Sequence, residues 1–285
     1  MLNADAALLK QLSENSLPYR DPLAHIDWET LDGESYWLPE TAITLYGLPE
    51  FQMLSPDVRR RLSQYEFLNV MHCGLWLESV FLQRLARRLH PALPRPEYEF
   101  LLHELREETG HSLMFLKAIE TSRLPLPEGT WRAPRLAAAL ARWAPAGGDL
   151  FWLAMAIGED VPDRFNRWLR QHGDALHPAV RQICTLHVVD EARHITFARG
   201  RLECLLRNRG ALSKTLLAGM GRLLLRQLAE VFFFPPPGFY ELAGLPRGAF
   251  WRRLALRNPA RRLCVAQCLA PTLRMLEGYG LKSKP

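Results

Sequence analysis

Apolar positions along this chain fall into long helical stretches, and strand signals are scarce. Few alternating β-branched runs occur, and no Asn-Gly or Asp-Gly hairpin joins two of them. Ser55-Pro56-Asp57 is a helix start: a capping hydroxyl, proline at the first helical position, then an acid in the first turn. The helix it opens runs to about Leu89 and stops at Pro91, Pro94 and Pro96. A second is predicted from Glu97 to Thr121, and a short one near Ala133–Trp143. A third spans Asp149 to Gln171, with Pro162 inside it, where a kink or π-bulge is expected. His172-Gly173-Asp174 breaks the chain, Pro178 opens a fourth helix to about Asn208, and a fifth covers Leu212 to Phe234. The reading is an all-α single domain over residues 1–285. It has an irregular N-terminal arm (1–54) containing Trp28, Tyr36, Trp37 and Pro39, a helical bundle (55–234), and a tail (235–285) with one or two short helices.

Composition narrows the class. With 48% hydrophobic and 23% charged residues among 285, the chain is an ordinary globular protein, and its net charge is +6. Arginine supplies much of the positive charge, and several arginines sit near the C-terminus: Arg247, Arg252, Arg253, Arg257, Arg261, Arg262 and Arg274. No nucleic-acid-binding fold accompanies it, so a solvated basic face is expected, with an acidic partner or carboxylate substrate as the alternative. No apolar run is long enough for a membrane span, and the N-terminus lacks a basic start followed by an apolar core. Five cysteines without a C-x-x-C pair, one helical turn separating Cys264 from Cys268, fit a reduced, cytoplasmic protein.

The chemistry lies in two Glu-x-x-His motifs, Glu108-Thr-Gly-His111 and Glu191-Ala-Arg-His194. On a helix, residues three apart share a face, so each motif aims one carboxylate and one imidazole at the same point. With nine His and twenty Glu, chance supplies about 0.6 such pairs, so a single motif would carry little weight. Their setting carries more. A di-iron carboxylate bundle takes one Glu from each of two helices and a Glu-x-x-His from each of two others. The midpoint between Glu78 and Glu108 is Leu93, inside the three-proline break, and that between Glu159 and Glu191 is Ala175, inside the Gly173–Pro178 break. Each arm of 15 or 16 residues is about 22–24 Å of helix, so both carboxylate pairs lie level at mid-bundle. Carboxylates and imidazoles suit iron, and at least six donors exceed what one zinc ion needs. His187 precedes Glu191 by four and His194 by seven, placing a third imidazole on the same stripe.

With these residues the chain resembles the p-aminobenzoate N-oxygenase family of ferritin-like di-iron proteins. Its members carry an extra histidine ligand one turn before the last Glu-x-x-His, matching His187. Tyr36-Trp-Leu-Pro39, Leu45-Tyr-Gly47, Leu54-Ser55, Arg59-Arg60 and Glu66 also resemble that family's approach to its first bundle helix. The resemblance covers roughly residues 28–240. It implies a ferritin-like four-helix core, two iron ions held by Glu78, Glu108, His111, Glu159, His187, Glu191 and His194, dioxygen as co-substrate, and oxygenation of a small-molecule amine in biosynthesis.

Around that set, Asp190 and Glu107 each precede a histidine by four and are placed to take the N–H of an imidazole on the facing helix. A solvated Glu107 is the bland alternative. Arg193 pairs with either acid or lies on the outer face. His72 is read as no ligand, His103 as structural or solvent-facing, and Met71, Cys73 and Cys184 as core. The same cofactor also serves desaturases, C-hydroxylases and ligand-binding oxidases, and iron storage is a third reading. No flavin, nicotinamide or iron–sulfur motif is visible, so electrons are expected from an external donor. A manganese–iron pair would satisfy the same donors. No nucleic-acid or membrane partner is expected, and a homodimer is one candidate assembly.

Overall fold

A computed structural model describes residues 3–134, 138–139 and 147–281. The helix expected near Ala133–Trp143 therefore lies mostly outside the described residues. Among them, helices account for all regular structure and no strand forms.

Two long hairpins make the bundle. The first pairs α4 (Pro56–Ala86) with α5 (Arg95–Ser122). Ser55 caps α4 by accepting from Val58 N at 3.4 Å, with Pro56 in the first turn. α5 opens directly after Pro94 and ends at Arg123, which takes the left-handed conformation at φ 51°. The second pairs α6 (Asp149–Arg170) with α7 (Pro178–Leu206), joined by a 3-10 turn at Gly173–Ala175. His177 caps α7, its Nδ1 accepting from Ala179 N at 3.2 Å. Pro162 has no N–H to give the Gly158 carbonyl, yet α6 runs through it as unbroken α-helix, without the π-bulge considered above. Helix α8 (Ala211–Phe233) packs across α6 and α4 and closes one side.

The arm differs from expectation. It begins with a 14-residue helix, α1 (Asn3–Ser16), and includes the single turns α2 (Pro22–His25) and α3 (Pro49–Gln52). Leu9 and Leu12 of α1 are buried, and α1 packs on α5 and α7, so docking rather than local propensity orders the segment. Beyond it, Tyr19 reaches α5 at Gly110, where an added Cβ would stand 2.5 Å from the Tyr19 hydroxyl. Any side chain beside His111 would have to push the Tyr19 hydroxyl aside for the arm to seat as it does. The tail also departs from expectation: it forms α9 (Pro237–Leu242), α10 (Gly248–Arg257) and the 20-residue α11 (Pro259–Gly278). Asn258 caps α11 by accepting from Ala260 N at 3.0 Å. Arg261, read as part of a solvated basic face, is 6% exposed and donates to the carbonyls of Phe233 and Ala42.

Arm and tail meet over α4 in a buried polar network. Glu66 accepts from Thr44 N at 2.9 Å and Thr44 Oγ1 at 2.6 Å, and Thr44 Oγ1 lies 2.9 Å from the Tyr240 hydroxyl. Asn258 donates to the carbonyls of Thr44 and Tyr46 at 2.8 Å each. Arg59 holds the turn before α4 through the carbonyls of Leu54 and Gln52. No described helix is long and apolar enough to cross a membrane.

Candidate metal centre

The four bundle helices bring the seven predicted residues into the interior. Two groups of donors converge, each with its atoms within 4.8 Å of one another: Glu78, His111, His187 and Glu191; and Glu108, Glu159, Glu191 and His194. Glu191 belongs to both. All seven are buried, and Glu108, His111, Glu191 and His194 are at 0% exposure.

The spacings are those of donors around shared cations. His194 Nδ1 lies 2.9 Å from Glu108 Oε1 and 3.6 Å from Glu191 Oε1. His111 Nδ1 lies 3.4 Å from Glu191 Oε1 and 3.8 Å from Glu78 Oε1. His187 Nε2 lies 3.4 Å from Glu78 Oε1 and 3.5 Å from Glu191 Oε1. Two donors each about 2.1 Å from one ion, at angles between octahedral and tetrahedral, stand roughly 3.0–3.4 Å apart. The decisive feature is what these atoms lack. Glu78 Oε2, Glu159 Oε1, both oxygens of Glu108 and Glu191, and Nδ1 of His111 and His194 are buried without a hydrogen-bond partner. His194 Nδ1 and Glu108 Oε1 are close enough for a hydrogen bond but not aligned for one. Leaving so many polar atoms unpaired costs about 1–3 kcal/mol each, a penalty that cations at their common focus would remove. The donor set fits a pair of divalent metal ions.

Outward partners fix the imidazoles. His111 Nε2 faces Asp190 Oδ2 at 3.3 Å, and His194 Nε2 faces Glu107 Oε2 at 2.9 Å. Each acid thus serves the histidine of the opposite motif. Arg193 ties them together, 2.9 Å from Glu107 Oε1 and 2.5 Å from Asp190 Oδ1. Glu107 is 1% exposed, which removes the solvated reading. His72 lies outside both groups, stacked on Trp131, and His103 is half-buried and also outside. Met71, Cys73 and Cys184 are in the core, with Cys73 Sγ donating to the Val231 carbonyl at 3.3 Å.

Without metal, protons balance the charge. Burial, then the neighbouring charges of Glu108 and Glu191 respectively, push Glu78 and Glu159 far above the usual carboxyl range. Burial opposes ionisation of Glu108, but the charge of His194 and the close approach of the His111 and His194 rings hold it far below that range. Burial would lower His111, yet its bond to Asp190 and the neighbouring Glu108 carboxylate carry it up to about 10. His194 is raised likewise, against burial, by the charges of Glu108 and Glu191. Burial instead pushes His187 down to about 4, leaving a neutral imidazole. Burial opposes Asp190 too, but its bond to His111 and the His111 charge hold it at about 2.

Two residues of this region were not singled out from the sequence. Asn166, one heptad beyond Glu159, places its side-chain amide 3.2 Å from His187 Nδ1. Glu104, one turn before Glu108, is fully buried with both oxygens unpartnered, and burial, opposed by the His194 charge and aided by that of Glu108, raises it to about 8. Heptad spacing from known donors (159 to 166, 104 to 111) was the available signal.

Comparison with known proteins agrees with this geometry. Residues 3–280 match the family described as p-aminobenzoate N-oxygenase AurF. An uncharacterized protein of Mycobacterium tuberculosis (strain CDC 1551 / Oshkosh) is 28% identical over 286 residues, covering 96% of this chain and 82% of that protein. One of Mycobacterium bovis (strain ATCC BAA-935 / AF2122/97) is 27% identical with the same coverage. Among solved structures, an R2-like ligand-binding oxidase variant with an anaerobically reconstituted Mn/Fe cofactor superposes with a TM-score of 0.55 at 15% identity, covering 96% of this chain and 94% of that one. Another, aerobically reconstituted with Mn/Fe, gives 0.55 at 15% identity, covering 99% and 94%. At that identity the structural likeness speaks for the fold alone. The chain belongs to the p-aminobenzoate N-oxygenase family and has the ferritin-like fold of the R2-like oxidases.

Proposed function

We propose that this protein is a di-metal oxygenase that uses two iron ions and dioxygen to oxygenate the nitrogen of a small-molecule amine. The observation that carries the reading is the third imidazole: His187 Nε2 faces the group formed by Glu78, His111 and Glu191. Glu78, His111 and His187 would hold one ion, Glu108, Glu159 and His194 the other, and Glu191 would serve both. The metal pair, when bound, supplies activation of dioxygen. The protein's own residues arrange the rest. Asp190 and Glu107 orient His111 and His194, and the surrounding burial excludes water.

A cleft between α4, α6 and α8 is the proposed substrate site, walled mainly by apolar side chains that include Trp76, Leu77, Phe81 and Met155. Leu77 and Gly158 in its wall are the immediate chain neighbours of Glu78 and Glu159. Gly158 lets the Phe81 ring lie against α6, since an added Cβ would meet Phe81 Cζ at 2.6 Å. Arg84 is the one charged residue in this wall, six positions beyond Glu78 and so about 9 Å along the helix. That placement suits an amine with a compact apolar body and an anionic far end. The same apolar wall favours a second reading, a di-metal oxidase acting on carbon.

One experiment separates them. The protein is loaded anaerobically with two equivalents of ferrous iron, exposed to oxygen with an external reductant, and given aryl amines with and without a carboxylate. Products are read by mass spectrometry. N-oxygenated products that require two irons per chain are expected, with Arg84→Leu raising KM about 10-fold for the carboxylates. Oxygen on carbon alone would sink the N-oxygenase reading and leave the second one.

A further inference from the structure

The three imidazoles of the centre have different backing. His111 and His194 turn Nδ1 inward and give Nε2 to carboxylates. His187 is reversed. Its Nε2 points inward, and its Nδ1 meets an amide, Asn166 Nδ2, at 3.2 Å. Asn166 is 8% exposed, and its Oδ1 receives the Cys184 thiol at 3.5 Å.

The two kinds of partner impose different rules. A carboxylate only accepts, so Asp190 and Glu107 keep a proton on the outer nitrogens of His111 and His194. Both inner nitrogens of the neutral rings are then lone pairs. An amide can accept or donate. With Asn166 Nδ2 toward the ring, His187 Nδ1 accepts and the proton sits on Nε2, where it is donated to Glu78 Oε1 at 3.4 Å. A half-turn of the amide about its last side-chain bond reverses this. Oδ1 then takes Nδ1–H, and the Nε2 lone pair faces the metal position. Cys184 accommodates both states, because a thiol donates weakly to oxygen and its sulfur accepts weakly from N–H.

We infer that Asn166 is a positioning residue whose amide lets His187 alternate between metal ligand and hydrogen-bond donor to Glu78. His111 and His194 are fixed ligands, whereas His187 is a displaceable one. When displaced it keeps two partners, Asn166 and Glu78, so leaving the metal strands no buried polar atom. The ligating state rests on the di-metal reading above; the link between Asn166 and the His187 tautomer does not.

The test is ¹⁵N NMR of histidine-labelled protein, metal-free and loaded with zinc as a diamagnetic probe, for wild type, Asn166→Asp and Asn166→Leu. Wild type is expected to carry the His187 proton on Nε2 without metal and on Nδ1 with it. Asn166→Asp, nearly the same shape but an acceptor only, should show the proton on Nδ1 in both states and hold the ion at His187 roughly 10-fold more tightly. Asn166→Leu should weaken that ion about 10-fold. If Asn166→Leu does not fold, Asn166→Asp decides. A wild-type His187 already carrying its proton on Nδ1 without metal, or Asn166→Asp matching wild type in tautomer and affinity, overturns the inference. Fewer than two zinc ions per wild-type chain would instead overturn the di-metal reading, with the metal-free spectra still reporting whether Asn166 sets the tautomer.

Discussion

Glu66 and Glu108 are both buried carboxylates on the first hairpin, and they are treated in opposite ways. The Glu66 carboxylate is bonded to Thr44 through backbone and side chain, with Tyr240 next in line. Glu108 sits among atoms that lack hydrogen bonds and face one another. The first region is satisfied by the chain alone and serves to join arm, bundle and tail. The second is incomplete as protein, and its complement is cationic. Burial of a carboxylate is therefore uninformative until its partners are counted.

The largest effect should come from breaking the incomplete region at its shared member. Glu191→Ala removes the only residue common to both donor groups. Iron bound per chain should fall from two to one or none, while the circular-dichroism spectrum of the metal-free protein stays helical. Retention of two tightly bound irons would remove Glu191 from the site.

Protons supply the next test. Glu78, Glu159, His111 and His194 all have raised pKa values in the metal-free protein, and each must lose its proton to ligate. Loading two divalent ions should release up to four protons, one from each of these residues. Affinity should then drop steeply on acidification, up to about 100-fold per pH unit for each ion. Calorimetry in buffers of different ionisation enthalpy measures the release. A heat independent of buffer would rule out this proton-for-metal exchange.

The satisfied region should respond through stability instead. Glu66→Ala leaves the Thr44 N–H and hydroxyl without their acceptor and is expected to cost about 3 kcal/mol, with iron content unchanged. Burial raises Glu66 to about 7, against the pull of Arg261 and Thr44. Because the folded state then holds the proton more tightly than the unfolded chain does, this group's contribution to stability is fullest below about pH 4.5. It declines as pH rises toward 7. Urea denaturation across that window should show the slope in wild type and not in Glu66→Gln. An equal slope in both would reassign it.

What could be read from the sequence divides along the same line. Prolines and glycines placed both hairpin turns, and ligand spacing placed seven donors on facing stripes, because breaks and helical periods are local properties. The helix in the arm is not legible in the sequence, because Leu9 and Leu12 are too few to mark one until α5 and α7 supply the surface that covers them. In the tail, Asn258-Pro259 was a cap signal as clear as Ser55-Pro56, but the run of arginines after it drew the segment toward a solvated reading. Arg261 is buried because its acceptors, the carbonyls of Phe233 and Ala42, arrive from distant parts of the chain. Asn166 was passed over because an amide announces no chemistry until its partner is known to be His187.

Glu104 sharpens the comparison most finely, since it belongs to neither region: it is buried and unpartnered, but outside both donor groups. Burial, with the Glu108 charge behind it and the His194 charge against it, raises it to about 8, so the metal-free protein carries it protonated at neutral pH. The sign follows as for Glu66. Stability associated with Glu104 is fullest below about pH 4.5 and falls by at most about 1.4 kcal/mol per pH unit as pH rises toward 8. Glu104→Gln replaces a neutral acid by a neutral amide of the same shape, so near pH 5 the two proteins should differ by about 1 kcal/mol or less. Above pH 7 the variant should resist urea better than wild type, because it has no charge to bury. Two irons per chain should bind to it as before. A loss of iron on this substitution would place Glu104 among the ligands and enlarge the incomplete region by one residue.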